Sequence, residues 1–529
     1  MDDLLIKNVR IVDGTGAPWY RGSVAVHQGK IVAMGSALRG EARQVLDGGD
    51  RVLAPGFVDL HSHSDFSLLT EGCAESKLLQ GVTTDIGGNC GISPAPVVTE
   101  RLDLLKKYVG FLNDGLSFEW RSFGDFLDEV QRQKPAMNFG SIVGHGTLRI
   151  AAMGFDNRTP TDEEMDKMKL LLRQSMEQGS FGVSTGLIYP PGCYSETDEL
   201  VEIARVAAEF GGVYETHMRD EDDNLLQSIE ESGEVARRAG IAVQIAHHKV
   251  CGRKNWGKGE AAQRRIEGLR EEGLDVANDQ YPYNATSTTI TTMFPNWAHE
   301  GGVDMLLARL RDPEMRALLR NGVLETMDRL DKRWEDTVIA GVRHQHNKKY
   351  EGLNLLEAAE LAGKDDDPCG FMFDLVESED GTFSVICYAM AEEDIKTIMV
   401  SPITMIGSDG SAVPLSAAGK PHPRTFGTFA RVLRKYCMEE CVFPLEEAIR
   451  KMSSLPASRL GIFDRGILRP GFAADMVLFD PAALEDTATY SDPQQAPKGI
   501  EKVWVNGQLA VDAGRVTGLR AGQVLRKGR

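Results

Sequence analysis

The chain has 529 residues, 42% of them hydrophobic and 26% charged, and a formal net charge of −19. Its length points to two or three units around a large core, and a surface this acidic repels phosphate backbones and anionic lipid, which argues against nucleic-acid and membrane partners. Asp2 and Asp3 stand where a secretory signal needs bases, no stretch approaches the ~20 apolar residues that span a bilayer, and the eight cysteines form no dense framework, so the expectation is a cytoplasmic protein with reduced thiols.

From residue 4 to about 56, short apolar runs alternate with Gly- and Asp-containing turns, as in Val9-Arg10-Ile11-Val12-Asp13-Gly14, and read as a small antiparallel β unit. The far C-terminus repeats the pattern, with an Asn506-Gly507 turn between two strand-like runs. One small β-sandwich completed by both termini is expected, since isolated hairpins are barely stable.

Between them, strand-like runs alternate with amphipathic helical segments such as 162–178 and 196–210, the pattern of a parallel α/β fold. Eight candidate strands (57–60, 83–86, 139–143, 182–185, 213–217, 242–246, 275–278 and 404–407) predict a (β/α)8 TIM barrel, whose active site lies at the C-terminal ends of the strands. More than a hundred residues separate the last two, too many for a bare loop, so an inserted, mainly helical subdomain is expected, with a short β element near Phe383-Ser384-Val385-Ile386. A lid and a peripheral decoration are both open readings of it. The expected organisation is residues 1–56 for the first part of the sandwich, 57–284 for barrel strands one to seven, 285–400 for the insertion, 401–468 for strand eight with closing helices, and 469–529 for the rest of the sandwich.

The chemistry-bearing residues fall at strand ends. His61-Ser62-His63 follows the first candidate strand, and side chains two apart on a strand face the same side. Two imidazoles there form half of a metal site, or else a solvated polar strand end. Gly87-Gly88-Asn89-Cys90-Gly91 follows the second strand, and a thiolate is a strong zinc ligand, although a lone cysteine also serves as a small buried hydrophobe. His217 ends the fifth strand, His247-His248-Lys249 the sixth, and Ser408-Asp409-Gly410 the eighth. A carboxylate beside a metal-activated water can accept its proton.

The set His61-x-His63, His217, His247 and Asp409 resembles the amidohydrolase superfamily. More narrowly, the glycine-flanked Cys90, Gly186-Leu187-Ile188-Tyr189-Pro190-Pro191-Gly192, Glu215-Thr216-His217-Met218-Arg219, Tyr281-Pro282-Tyr283 and His422-Pro423-Arg424 resemble the N-acyl-D-amino-acid deacylase (D-aminoacylase) branch, from about residue 4 to 515. The resemblance implies a tightly bound Zn2+ on Cys90, His217 and His247, and a weaker second divalent position among His61, His63 and Asp409, with Cys90 able to be shared. Strand four has no lysine to be carbamylated, and cysteine takes that anionic role. His247 is preferred over His248, although Ala246 stands where the family often has serine. Asp409 is implied as the general base and then acid, while Lys249, Tyr283 and Arg424, with Tyr189 and Ser287, are implied around the substrate's α-carboxylate. Arg219 is read as a structural ion pair. Met293-Phe294-Pro295-Asn296-Trp297 reads as an apolar pocket lining or as core packing.

The implied reaction is hydrolysis of an N-acyl-D-amino acid, a small-molecule partner, to a carboxylate and a D-amino acid. A relative acting on another linear or cyclic amide is the alternative enzyme, and an inactive binding protein on the same fold is the alternative class. Nothing in spacing or composition distinguishes D from L, and a homo-oligomer stays open.

Overall fold

The computed structural model describes residues 1–38, 40–70, 72–112 and 115–528. Its barrel strands run parallel in chain order: Phe57–Asp59, Val82–Gly87, Asn138–Ser141, Gly182–Gly186, Val213–His217, Ala242–Ile245, Val276–Gln280 and Thr404–Ile406. The two-residue strand Val143–Gly144 continues the third and pairs with the fourth, which carries the sheet round. Closure comes from the last strand meeting the first: Ser62 bridges Gly410, and the Asp409 N–H donates to the His61 carbonyl at 2.8 Å. Two of the residues singled out from the sequence therefore lie at the seam itself.

The helices obey local rules. Asp162–Glu177 starts at Thr161, whose hydroxyl accepts the Glu164 N–H while the Glu164 carboxylate accepts the Thr161 N–H, the reciprocal capping that a Thr-x-x-Glu spacing encodes. Its buried Met168, Leu172, Ser175 and Met176 recur at helical spacing and face the barrel. Ile86, Phe181 and Met405 pack with Leu460 of the closing helix Ser454–Leu460 and with Ile462.

The two termini build one hydrogen-bonded sheet of nine strands. Val52–Pro55 from the N-terminal part pairs antiparallel with Met476–Phe479 from the C-terminal part, with Ala54 opposite Val477. Strand alternation divides the work. Leu53, Met476, Leu478 and Trp504 join a core inside the β unit, whereas Val52, Ala54, Val477, Phe479 and Val503 face the other way into the barrel core. Each of the valines and Phe479 contributes roughly 1.5–3 kcal/mol on burial, so the β unit is fastened by its own side chains. Asn506 and Gly507 both take positive φ, 49° and 78°, as the tight Asn-Gly hairpin turn requires.

Between strands seven and eight lies the inserted unit. Its β element is larger than the sequence suggested: Ser384–Tyr388 is the middle strand of a three-stranded antiparallel sheet, flanked by Ala285–Thr289 and Thr337–Gly341. Helices Val303–Arg311, Pro313–Leu330, Leu355–Leu361 and Pro368–Ser378 surround a separate apolar core that includes Leu310, Val323, Ile339, Phe373 and Val385. The helix Glu392–Met399 instead packs on the barrel helix Gly259–Glu271 and on strand eight, so the barrel wall resumes before residue 401. All eight cysteines are unpaired, and among the described residues no helix is long and apolar enough to cross a membrane.

Candidate active site

At the C-terminal mouth, a cavity of about 570 Å³ opens between the barrel loops and the inserted unit. Most of the polar residues predicted from the sequence meet at its base. His61 is fully buried; its Nδ1 lies 3.1 Å from Asp279 Oδ1 and its Nε2 3.4 Å from Cys90 Sγ. Cys90 Sγ is also 3.4 Å from His247 Nε2. His63 Nε2 lies 3.1 Å from Asp409 Oδ1, which is 3.7 Å from His61 Nε2. The His217 ring stands edge-on to His247 at 4.3 Å, and neither of its buried nitrogens makes a hydrogen bond, Glu221 Oε2 lying 3.4 Å from Nε2.

Backbone shape puts these groups there. Cys90, His247 and Asp409 all adopt positive φ, 55°, 34° and 51°, so three strands end in turns that aim a donor at one point. Such conformations cost energy in non-glycine residues and persist where the surroundings enforce them. The Cys90 turn is enforced by Glu215, whose Oε2 accepts the Cys90 N–H at 3.2 Å, and by Gly88, where an added Cβ would land on the Ile142 carbonyl oxygen. Asp279 enforces the His247 turn, accepting its N–H at 2.8 Å. His248 turns away, its Nδ1 bonding Asn278 at 3.0 Å.

Burial, with Lys249 and His217 adding to it, pushes His247 down to about 3, which keeps the ring neutral, the form that ligates a cation. Burial pushes the Cys90 thiol up to about 12. Against the same desolvation, the Arg424 guanidinium and then His63 hold the Asp409 carboxyl well below the usual carboxylate range. Arg424 Nη1 lies 2.8 Å from Asp409 Oδ2, and its Nη2 reaches the Ser287 carbonyl at 3.4 Å.

Lys249 donates to Glu221 Oε1 at 2.6 Å, and its Nζ lies 2.5 Å from His247 Nδ1. Tyr189 lines the cavity, its hydroxyl 3.0 Å from Thr288 Oγ1 and its ring against His217. Ser287 lines it too. Tyr283 does not, contrary to the sequence expectation: its N–H bonds the Tyr281 carbonyl, the chain bends, and the ring is carried behind the wall among His422, Tyr490 and Arg431, its hydroxyl reaching the Pro423 carbonyl. Tyr281, though buried, lines the cavity instead, with Arg424 stacked 4.7 Å over its ring and a hydroxyl that has no partner. Arg219 pairs with Glu231 at 2.9 Å and donates to the carbonyls of Cys193 and Ser195. Met293 and Asn296 line the cavity, while Phe294 stacks on Phe373 in the core of the inserted unit.

Three further carboxylates escaped the sequence reading: Glu221, Asp279 and Glu215. Glu215 stands two residues before His217 on strand five, so strand alternation carried a usable signal for it. Asp279 and Glu221 gave none, because their roles depend on the partners brought to them.

A model of the amidohydrolase family matches residues 44–511. The chain belongs to that family. This amidohydrolase is 36% identical over 527 residues to the D-aminoacylase of Alcaligenes xylosoxydans xylosoxydans, covering 99% of this chain and 97% of the relative. It is 35% identical to the N-acyl-D-aspartate deacylase of the same organism, over 99% and 95% of the two chains. The crystal structure of the N-acyl-D-glutamate deacylase from Bordetella bronchiseptica, complexed with zinc and a phosphonate that mimics the tetrahedral intermediate, superposes with a TM-score of 0.82 at 33% identity over 99% of each chain.

The donors of this amidohydrolase fit a zinc-type cation. His61, Cys90 and His247 offer ligand atoms within 4.8 Å of one another, as do His61, His63 and Asp409, and His217, Glu221 and His247. Thiolate and imidazole suit zinc; a cation in the His217–Glu221–His247 group would occupy one of the two partnerless nitrogens of His217, and one beside Cys90 would stabilise its thiolate despite the burial.

Proposed function

We propose that this amidohydrolase cleaves the amide bond of N-acyl-D-amino acids to a carboxylate and a free D-amino acid. Supporting the reading most directly is the juxtaposition, at the base of the cavity, of a thiol–imidazole cluster with an ionised Asp409 only 3.1 Å from His63, in a chain alike from end to end to deacylases of D-amino-acid substrates. Cys90, His217 and His247 are assigned to a tightly held zinc, and His61, His63 and Asp409 to a weaker second position. A cation in the cluster supplies Lewis-acid polarisation of the amide carbonyl and lowers the pKa of water.

The chain's own groups do the rest. Asp409, kept ionised by Arg424, accepts the proton of the attacking water and returns it to the departing amine. Asp279 receives the His61 Nδ1–H and thereby directs Nε2 toward the cluster, as carboxylates behind ligating histidines do. Arg424, Lys249 and the free hydroxyl of Tyr281 surround the place of the α-carboxylate, with Tyr189 and Ser287 on the same wall; Arg424 offers the planar fork that suits a carboxylate. Unpaired cysteines support a reducing compartment, the cytoplasm.

Amine release from matched N-acetyl-D- and N-acetyl-L-amino acids, by zinc-replete, chelated and Asp409→Ala protein, tests the proposal. Turnover of the D series alone, lost on chelation and in the variant, is expected. Zinc-bound protein that leaves both series intact while opening ring amides would place the chain among cyclic-amide hydrolases instead.

A further inference from the structure

Among the described residues, the lysines and arginines that line the catalytic cavity are Arg219, Lys249, Arg253, Arg329, Lys332 and Arg424. All but one of them already face a carboxylate of the protein. Arg219 is paired with Glu231 at 2.9 Å, Lys249 with Glu221 at 2.6 Å, Arg253 with Asp336 at 2.5 Å, Arg329 with Asp222 and Asp223 at 2.8 and 2.9 Å, and Arg424 with Asp409 at 2.8 Å. Lys332 has no carboxylate within ion-pair distance among the described residues, and its ammonium lies 3.4 Å from Cys387 Sγ.

Lys332 follows the helix Pro313–Leu330 of the inserted unit, and Cys387 belongs to that unit's middle strand, directly opposite Thr286; all three line the cavity. Opposed residues on antiparallel strands stand ~4.5–5.5 Å apart with their side chains on one face, so the Thr286 hydroxyl shares a face with the thiol that carries the ammonium. Both cations assigned to the substrate's α-carboxylate abut the same small sheet. Arg424 reaches the carbonyl of Ser287, next to Thr286, at 3.4 Å, and the loop that bears Lys249 is tied to the end of the middle strand, where the Gly252 N–H donates to the Ala389 carbonyl at 3.0 Å. The side chain of an amino acid leaves from the carbon that bears the carboxylate, whereas the acyl group hangs on the nitrogen with its carbonyl carbon at the metal cluster. With the carboxylate on Arg424, the side chain therefore starts beside Ser287 and Thr286. We propose that Lys332, with the Thr286 hydroxyl, forms the side-chain subsite and binds a second carboxylate, so that the enzyme prefers N-acyl derivatives of D-aspartate and D-glutamate over those of neutral D-amino acids. An ammonium on a flexible four-carbon stem turns readily from a thiol, a weak acceptor, to a carboxylate. The inference rests on the deacylase reading above and deepens it.

The test compares N-acetyl-D-glutamate with N-acetyl-D-glutamine, and the aspartate with the asparagine derivative, on zinc-loaded full-length enzyme; each pair differs in charge at nearly constant shape. The acid should be favoured in kcat/KM by on the order of 10- to 100-fold, the usual worth of a hydrogen bond between charged groups. Lys332→Met should bring that ratio near one, Lys332→Arg should keep it, and Lys332→Glu should transfer the preference to N-acetyl-D-lysine. As a ratio within one preparation, it does not depend on how much of a variant folds. A wild-type ratio near one, in an enzyme that hydrolyses the neutral substrates, overturns the subsite and leaves the deacylase reading standing. So does a preference for the acids that survives both Lys332→Met and Lys332→Glu, or a Lys332→Met effect confined to N-succinyl against N-butanoyl derivatives of D-methionine, which puts the ammonium on the acyl side. No turnover of any N-acetyl-D-amino acid overturns the deacylase reading itself, and the subsite with it.

Discussion

Lys77→Met should both destabilise this amidohydrolase and slow it. Lys77 is fully buried, and its ammonium spends its three protons on Asp59 Oδ2 at 2.6 Å, Ser408 Oγ at 2.7 Å and the Gly410 carbonyl at 3.1 Å. Burial works against that charge, but Asp59 and Asp85 outweigh it and hold the lysine above its ordinary value. The methionine variant leaves two buried carboxylates without their cation, an arrangement that costs about 3–5 kcal/mol. At about 1 °C per kcal/mol for a chain of this length, the midpoint of thermal unfolding should fall by roughly 3–5 °C. Because Ser408 and Gly410 flank Asp409, and Asp59 also accepts the Ser408 N–H at 2.9 Å, the same clamp sets the carboxylate against His61 and His63. A displacement near 1 Å there costs on the order of 100-fold, so kcat should drop by about that factor while KM moves little. Calorimetry and steady-state kinetics read both, and adding Asp59→Asn to Lys77→Met should recover part of the lost stability by removing an orphaned charge. A variant that loses under about 1 kcal/mol and keeps wild-type kcat would refute the clamp.

Other outcomes follow from the same geometry. Cys90→Ser should abolish tight zinc retention through dialysis, measured by elemental analysis, with the unfolding free energy of the apo protein changed by under about 1 kcal/mol, because a hydroxyl fills nearly the same space but is a far weaker ligand. Arg424→Met removes the charge that depresses the Asp409 carboxyl; its pKa rises, and the acidic limb of the kcat/KM profile moves to higher pH, whereas Arg424→Lys should move it less. Gly88→Ala forces a Cβ onto the Ile142 carbonyl at a φ of +81°, and should give insoluble protein or a fold with zinc affinity reduced by more than tenfold.

What could be read from the sequence is what depends on neighbours along the chain. Side-chain alternation on a strand is local, so His61, His63, His217 and Asp409 could be placed at strand ends before any tertiary contact was known, and the Thr161-x-x-Glu164 spacing and the Asn506-Gly507 turn fixed an element boundary and a hairpin for the same reason. Hydrophobic periodicity likewise separated the β unit of the termini from the barrel and exposed the insertion as an excess of length. What escaped depends on residues brought together by closure of the barrel. Lys77 meets Ser408 across 331 positions of chain, and His61 meets Asp279 across 218; neither spacing has any periodicity to betray it. The exchange of Tyr283 for Tyr281 on the cavity wall turned on one backbone bend after strand seven. Sequence by itself determined which chemical groups stand at the mouth of the barrel; the tertiary structure decided which of them touch, because contact distances are set by sheet closure and packing rather than by position along the chain.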